Sequence, residues 1–300
     1  MLYVQQILRK KHSMMKPNIL FIFADDWGWG DLSCHGHPYV KTPNIDRLAN
    51  EGTDIHRFTV ASGVCSPSRT AAMTGHFPAR YNIDGHFAWA SNNASRGMPD
   101  WLSPEAPFLP RMLRNAGYRT AHFGKWHLSN NMIPDSPLPE VYGYDHAWAF
   151  NCAGEQLPVH EDARKTIEFI EKAHRDGKPF YVNLWVHEPH TPFHTVPRYE
   201  WRFRHIEDEK DRIYASVLSH ADDRIGEVLV TLDRLEITKN TLVIFSSDNG
   251  PARAVGQPKL ELMYDTATGA GWGIAASRGI TGGAEATKPP SSKVELGSPS

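Results

Sequence analysis

Asn18–Ala24 carries an unbroken apolar run, Ile19-Leu-Phe-Ile-Phe-Ala24, that stops on two carboxylates, Asp25 and Asp26. The same arrangement recurs at Thr241–Ser246, ahead of Asp248-Asn249-Gly250. Short apolar runs rich in β-branched and aromatic residues and closed by turn-forming residues read as strands buried on both faces. Phe180–Val186 is a third such run, and Tyr118–Phe123, flanked by Gly117 and Gly124, is a shorter fourth. Helical patterns lie between them at Pro43–Asn50, Pro67–Thr74, Pro107–Asn115, Glu161–His174 and Asp211–Leu235, the last with Ile213, Val217, Ala221, Ile225 and Leu229 on one face. Strands alternating with helices predict an α/β layered domain around a mostly parallel sheet. Asp84–Pro107 and Ser129–Pro158, rich in Pro, Gly, Asn and aromatics, are predicted to be long loops lining a pocket. Beyond Gly250 no further strand or helix is predicted.

Charge narrows the function classes. The chain of 300 residues carries 32 Lys and Arg against 34 Asp and Glu, without a long basic run, so neither nucleic acid nor an anionic membrane is an expected partner. Its apolar runs fall short of the ~18 residues of a spanning helix. Three cysteines, Cys34, Cys65 and Cys152, do not make a disulfide framework or a thiolate zinc site. Residues 1–16 place their basic cluster after a short apolar stretch and lack a small-residue cleavage site, so they read as an extension rather than a secretory signal. That implies a cytoplasmic protein as written, or a periplasmic or secreted one if Met14 or Met15 marks a misassigned start.

Four groups of residues could carry chemistry. Asp25, Asp26, Asp248 and Asn249 follow two strands, and ligands of parallel sheets bind at the carboxyl ends of strands. Together they form an all-oxygen set suited to calcium or magnesium. Asp-Asn-Gly also suits a plain turn, and Asp25-Asp26 a helix cap, so spacing alone leaves both readings open. Cys65-Ser66-Pro67-Ser68-Arg69 opens a helical pattern, with Ser66 as the expected N-cap and Pro67 at the first helical position. Cys65 is then either a nucleophile at an anion-binding helix start, with Arg69 one turn on, or a small buried packing residue. Lys125 and His127 in Gly124-Lys-Trp-His127, two apart in extended chain, would face one anionic group; a surface Lys and a structural His is the alternative. In His187-Glu-Pro-His190-Thr-Pro-Phe-His194, Pro189 and Pro192 bar a zinc-binding helix, so one histidine in the pocket is expected rather than three ligands.

In combination, P-N-I-L-F-I-F-A-D-D-W-G at Pro17–Gly28, C-S-P-S-R-T-A-A-M-T-G at Cys65–Gly75, G-K-W-H, P-H-T-P at Pro189–Pro192 and S-D-N-G at Ser247–Gly250 resemble the sulfatase family in its usual motif order. The flavour is that of the arylsulfatase A and N-acetylgalactosamine-6-sulfatase branch. The resemblance implies an alkaline-phosphatase-like fold and hydrolysis of sulfate esters. It further implies that a maturation enzyme reading C-x-P-x-R oxidises Cys65 to formylglycine, whose hydrated aldehyde is the nucleophile. By the same resemblance Asp25, Asp26, Asp248, Asn249 and modified Cys65 would bind calcium, with magnesium the lesser choice. Arg69 would hold the diol and the metal-site carboxylates, Lys125 and His190 would bind sulfate oxygens, and His127 would act as a base. Asn151, with Cys152, is a candidate for the substrate wall, and the substrate would be a sulfated carbohydrate or aryl sulfate.

The resemblance runs over residues 17–283 and then breaks. A stretch of the form R-G-x-K-x-x-x-x-E-G-G-x-R, with its leaving-group Lys, and a C-terminal subdomain are expected next, but the chain reads Arg278-Gly-Ile-Thr-Gly-Gly283 and an unrelated tail. Ala286–Ser298 can be back-translated so that a reading frame begun two nucleotides in gives N-K-A-T-I-V-E-G-G-A-R-V. An out-of-frame tail over residues 284–300 is therefore the expectation. It leaves an inactive truncated sulfatase as an alternative, beside a phosphatase or phosphodiesterase of the same fold.

Overall fold

A computed structural model of the chain describes residues 16–130, 133–150, 161–190, 193–195, 197–251 and 271–273. In chain order the elements are β1 (Asn18–Ala24), α1 (Pro43–Glu51), α2 (Cys65–Thr74), α3 (Ala90–Ser95), α4 (Leu109–Asn115), β2 (Arg119–Lys125), β3 (His146–Phe150), α5 (Glu161–Arg175), β4 (Phe180–Trp185), β5 (Phe193–Thr195), α6 (Pro197–Arg202), α7 (Glu209–Arg234), β6 (Thr241–Ser247) and β7 (Gly271–Gly273). Five strands form one sheet in the order β3-β2-β4-β1-β6, every pair parallel. The α/β fold with a parallel central sheet is thus as predicted.

Strand alternation splits the core in two. Leu20, Ile22 and Ala24 of β1 face α1, α5 and α7, packing with Ile45, Phe169, Ile170, Val217, Ala221 and Ile225. Ile19, Phe21 and Phe23 face the other way, toward Met73 of α2, Phe108, Trp126 and Trp185. The long α7 begins where the Asp208 carboxylate accepts hydrogen bonds from the amides of Lys210 and Asp211 at 2.9 and 3.0 Å. The N-terminus of α1 is held from a distance, because the Asp222 carboxylate on α7 accepts from the Asn44 and Ile45 amides at 3.1 and 2.9 Å.

Several expectations need correction. The supposed loop Ser129–Pro158 contains β3, a half-exposed edge strand whose His-Ala-Trp-Ala-Phe pattern is masked by the Pro- and Gly-rich sequence around it. Asp84–Pro107 contains the short helix α3. Beyond Gly250, β7 pairs antiparallel with β5. Asn151, Cys152 and the tail from residue 284 lie outside the described residues.

Candidate active site

Four neighbouring strands deliver the predicted residues to one end of the sheet. Asp25 and Asp26 leave β1, Asp248 and Asn249 leave β6, Lys125 ends β2, and the turn after β4 carries His190. The ends of β1 and β6 are stitched together: the Asp248 amide donates to the Ala24 carbonyl at 2.9 Å, and the Trp27 amide to Ser247 Oγ at 3.0 Å. Asp26 adopts φ 62°, a left-handed conformation unfavourable for a side chain with a Cβ, and its amide donates to Asp248 Oδ1 at 3.3 Å. Since α1 starts only at Pro43, Asp25 and Asp26 cap no helix there, and the capping alternative falls.

From the opposite face α2 inserts its first turn. The N-cap is Val64, so Cys65 is the first helical residue; Ser66 is not the cap as expected. Ser66 Oγ accepts instead from the Phe87 amide at 3.0 Å, tying the 85–87 backbone to the helix. Cys65 Sγ lies 3.5 Å from both Asp25 Oδ1 and Lys125 Nζ, and Lys125 Nζ also donates to Asp25 Oδ2. One turn on, Arg69 is fully buried and donates from Nε to Asp248 Oδ2 at 2.9 Å. Its Nη2 lies 2.7 Å from the same oxygen and 3.5 Å from Asp25 Oδ1, and Nη1 donates to the Lys125 carbonyl at 3.2 Å. The guanidinium also lies over the Trp185 ring, 4.8 Å from its centroid.

Three buried carboxylates, Asp25, Asp26 and Asp248, here face two buried cations, Arg69 and Lys125. Burial, and after it the charge of Asp25, pushes the Asp248 carboxyl up to about 7. One ligand atom from each of Asp25, Asp26, Cys65 and His190 lies within 4.8 Å of the others. Asn249 Nδ2 donates to Asp26 Oδ1 at 2.5 Å, whereas its buried Oδ1 has no hydrogen-bond partner. An excess of carboxylate and an orphaned amide oxygen fit a hard divalent cation.

His127 sits at the rim. It does not continue the extended chain from Lys125, as expected, but turns into the left-handed region at φ 51°. There Nε2 lies 3.1 Å from the Phe87 carbonyl, and His86 stands 6.1 Å away between ring centroids. Burial first, and then Lys125, holds the His127 imidazole well below its ordinary pKa, so the ring rests neutral.

Comparison with known proteins bears on this arrangement directly. The family profile described as Sulfatase matches residues 17–274. The chain belongs to the sulfatase family. It is 31% identical over 283 residues to N-acetylgalactosamine-6-sulfatase of Sus scrofa, covering 81% of this chain and 52% of that protein. Against arylsulfatase J of Mus musculus it is 29% identical over 295 residues, covering 88% and 46%. The chain therefore spans about half the length of the curated relatives it matches. Among solved structures, Ps i-CgsB superposes with a TM-score of 0.69 at 27% identity, covering 79% of this chain and 59% of that one. A phosphonate monoester hydrolase of Agrobacterium radiobacter shares the fold, with a TM-score of 0.56 at 20% identity, covering 78% and 62%. The alkaline-phosphatase-like fold expected from the motifs is the one observed.

This sulfatase chain brings Asp25, Asp26, Cys65, Arg69, Lys125, His190, Asp248 and Asn249 into one buried cluster, with His127 beside it. Two contributors escaped the sequence reading. The segment Gly85–Phe87 lies inside a predicted loop, yet it binds α2 through Ser66 and His127 through the Phe87 carbonyl. Gly124 reads in the sequence as a strand boundary and part of Gly124-Lys-Trp-His127, with no sign of a close approach. A Cβ there would stand 2.0 Å from the Trp185 carbonyl oxygen, so glycine is what lets β2 deliver Lys125.

Proposed function

We propose that this cluster is the catalytic centre of a sulfuric ester hydrolase. The observation that carries the reading is Cys65 in the first turn of α2, within 3.5 Å of both Asp25 and Lys125. Oxidised to formylglycine by a maturation enzyme, this position supplies a hydrated aldehyde as nucleophile. Asp25, Asp26, Asp248, Asn249 and the modified Cys65 would hold calcium, which when bound withdraws charge from a sulfate oxygen.

The remaining chemistry belongs to the chain's own side chains. Arg69 is locked between Asp25 and Asp248 and holds the nucleophile and the carboxylates in register. Lys125 and His190 bind sulfate oxygens and stabilise the charge that shifts as the S–O bond breaks. His127, neutral and buried, takes the proton of the remaining hydroxyl when the sulfated intermediate collapses, so that the aldehyde re-forms and sulfate leaves. Asp248 is suited to receive the nucleophile's proton, and Asn151 remains a candidate for the substrate wall. The substrate class is a sulfated carbohydrate or an aryl sulfate. In support, Ps i-CgsB was also solved in complex with k-i-k-neocarrahexaose, and the Sus scrofa relative is named for a 6-sulfated amino sugar.

The test is mass spectrometry of the Cys65 peptide after coexpression with a formylglycine-generating enzyme, combined with turnover of an aryl sulfate by the full chain. Conversion with turnover that disappears in Cys65→Ala supports the proposal. Conversion without turnover favours an inactive chain.

A further inference from the structure

One buried ion cluster lies outside the chemistry described so far. Arg224 of α7 forms a two-pronged pair with Glu188, Nη1 to Oε1 at 2.6 Å and Nη2 to Oε2 at 2.8 Å. The same guanidinium reaches Asp162 in the first turn of α5, Nε to Oδ1 at 3.2 Å and Nη2 to Oδ2 at 3.3 Å. The three side chains are at most 5% exposed. Buried ion clusters of this kind contribute little net stability compared with apolar packing, while loss of one partner is severe; fixing one conformation is the better-attested use.

The conformation fixed here is the turn after β4. Glu188 lies between His187 and His190, the His190 amide closes the turn on the His187 carbonyl at 2.9 Å, and His190 Nε2 stands 3.8 Å from Asp26 Oδ2. A carboxylate held by a planar fork has little freedom to rotate. We propose that Arg224 and Glu188 are positioning residues: their pair, braced by Asp162, holds the turn that presents His190 to the site. The functional part of this inference rests on the reading of His190 as a sulfate-binding group.

Glu188→Gln keeps the shape of the side chain and removes its charge. In the full chain labelled with 13C at histidine Cε1, the His190 ring signal can be assigned by its absence in His190→Ala. It is expected to shift or split in Glu188→Gln, while the signals of His35 and His205 stay in place. Binding of inorganic sulfate in calcium buffer, followed by tryptophan fluorescence, is expected to weaken about tenfold, as is common when a group behind a ligand is lost. The double variant Glu188→Gln/His190→Ala should bind no more weakly than His190→Ala alone.

An unmoved His190 signal, or losses that simply add, overturns the proposal. A moved signal together with sulfate binding indifferent to His190→Ala upholds the positioning and removes the sulfate-binding role instead. Arg224→Lys, which keeps the charge without the fork, serves where Glu188→Gln does not fold, and the same two signatures decide.

Discussion

Gly124→Ala isolates the close approach of two strands beneath the proposed active site. Gly124 holds φ 110°, where a side chain with a Cβ is strained by roughly 1–3 kcal/mol. The added methyl would also meet Trp185 backbone atoms, its oxygen at 2.0 Å and its carbonyl carbon at 2.9 Å. Because Gly124 and Trp185 are paired in the sheet, neither strand can step aside without breaking the ladder. Overpacking of this kind adds about 1–3 kcal/mol, for a total of about 2–6 kcal/mol. Gly177→Ala is the matched control: φ is 61° and nothing lies within 4 Å of the new methyl, so only the backbone penalty of about 1–2 kcal/mol applies. Urea unfolding at 25 °C should place Gly124→Ala about 2–3 kcal/mol below the control, close to 1 M in midpoint for a slope of about 3 kcal/mol per molar. Equal midpoints for the two variants would refute the contact as the reason for glycine in this motif.

Three further outcomes are expected. Calcium at about a hundred times its dissociation constant should stabilise the chain by about 2.7 kcal/mol; Asp26→Ala should abolish the rise in melting temperature, and a rise that persists would place the ion elsewhere. His37 is held neutral, at about 4 against an ordinary 6.5, by burial and then Lys41, and its Nδ1 accepts from the Tyr39 and Val40 amides at 3.3 and 3.0 Å. The folded chain therefore binds fewer protons than the unfolded one between those values, and stability should fall by up to about 3 kcal/mol as pH drops from 6.5 to 4. His37→Gln should flatten that dependence in urea titrations at several pH values, and an unaltered slope would sink the assignment. Ser66→Ala leaves the buried Phe87 amide without its acceptor and should lower stability by about 1–3 kcal/mol, measured by the same titration; no change would show that the 85–87 backbone is held by other means.

How much of this was legible in the sequence depended on the kind of signal. The strands β1, β2 and β4 announced themselves because each is buried almost throughout, whereas β6, also read as buried on both faces, is an edge strand that exposes Leu242 and Ile244 and was recognised from its apolar run alone. The edge strand β3 did not, since half-exposed His146 and Ala149 dilute its pattern between stretches of Pro and Gly. Asp25, Asp26, Asp248 and Asn249 were visible as polar residues at strand ends, and Cys65 and Arg69 as one turn of a helix. Their convergence was expected from the strand-end rule and from the resemblance, but the strand order β2-β4-β1-β6 that produces it is carried by no local pattern. The Arg224–Glu188 pair was hidden for the same reason, joining residues far apart in the chain, as was the Ser66 hydroxyl, which serves Phe87 rather than its own helix.

The burial of α2 also sets a deadline. Cys65, Ser66, Pro67, Ser68 and Arg69 are all buried, with Arg69 clasped by Asp248 and Cys65 beneath Asp25. On the proposed function, a second enzyme has to grip Cys, Pro and Arg of this segment together before oxidising the thiol. Once the sheet has closed over the helix, that grip requires undoing the core, so the conversion belongs to the interval between synthesis and folding. A molecule that folds ahead of its modifier is trapped as the thiol, and the active fraction of a preparation then records a race between two rates as much as the quality of the site.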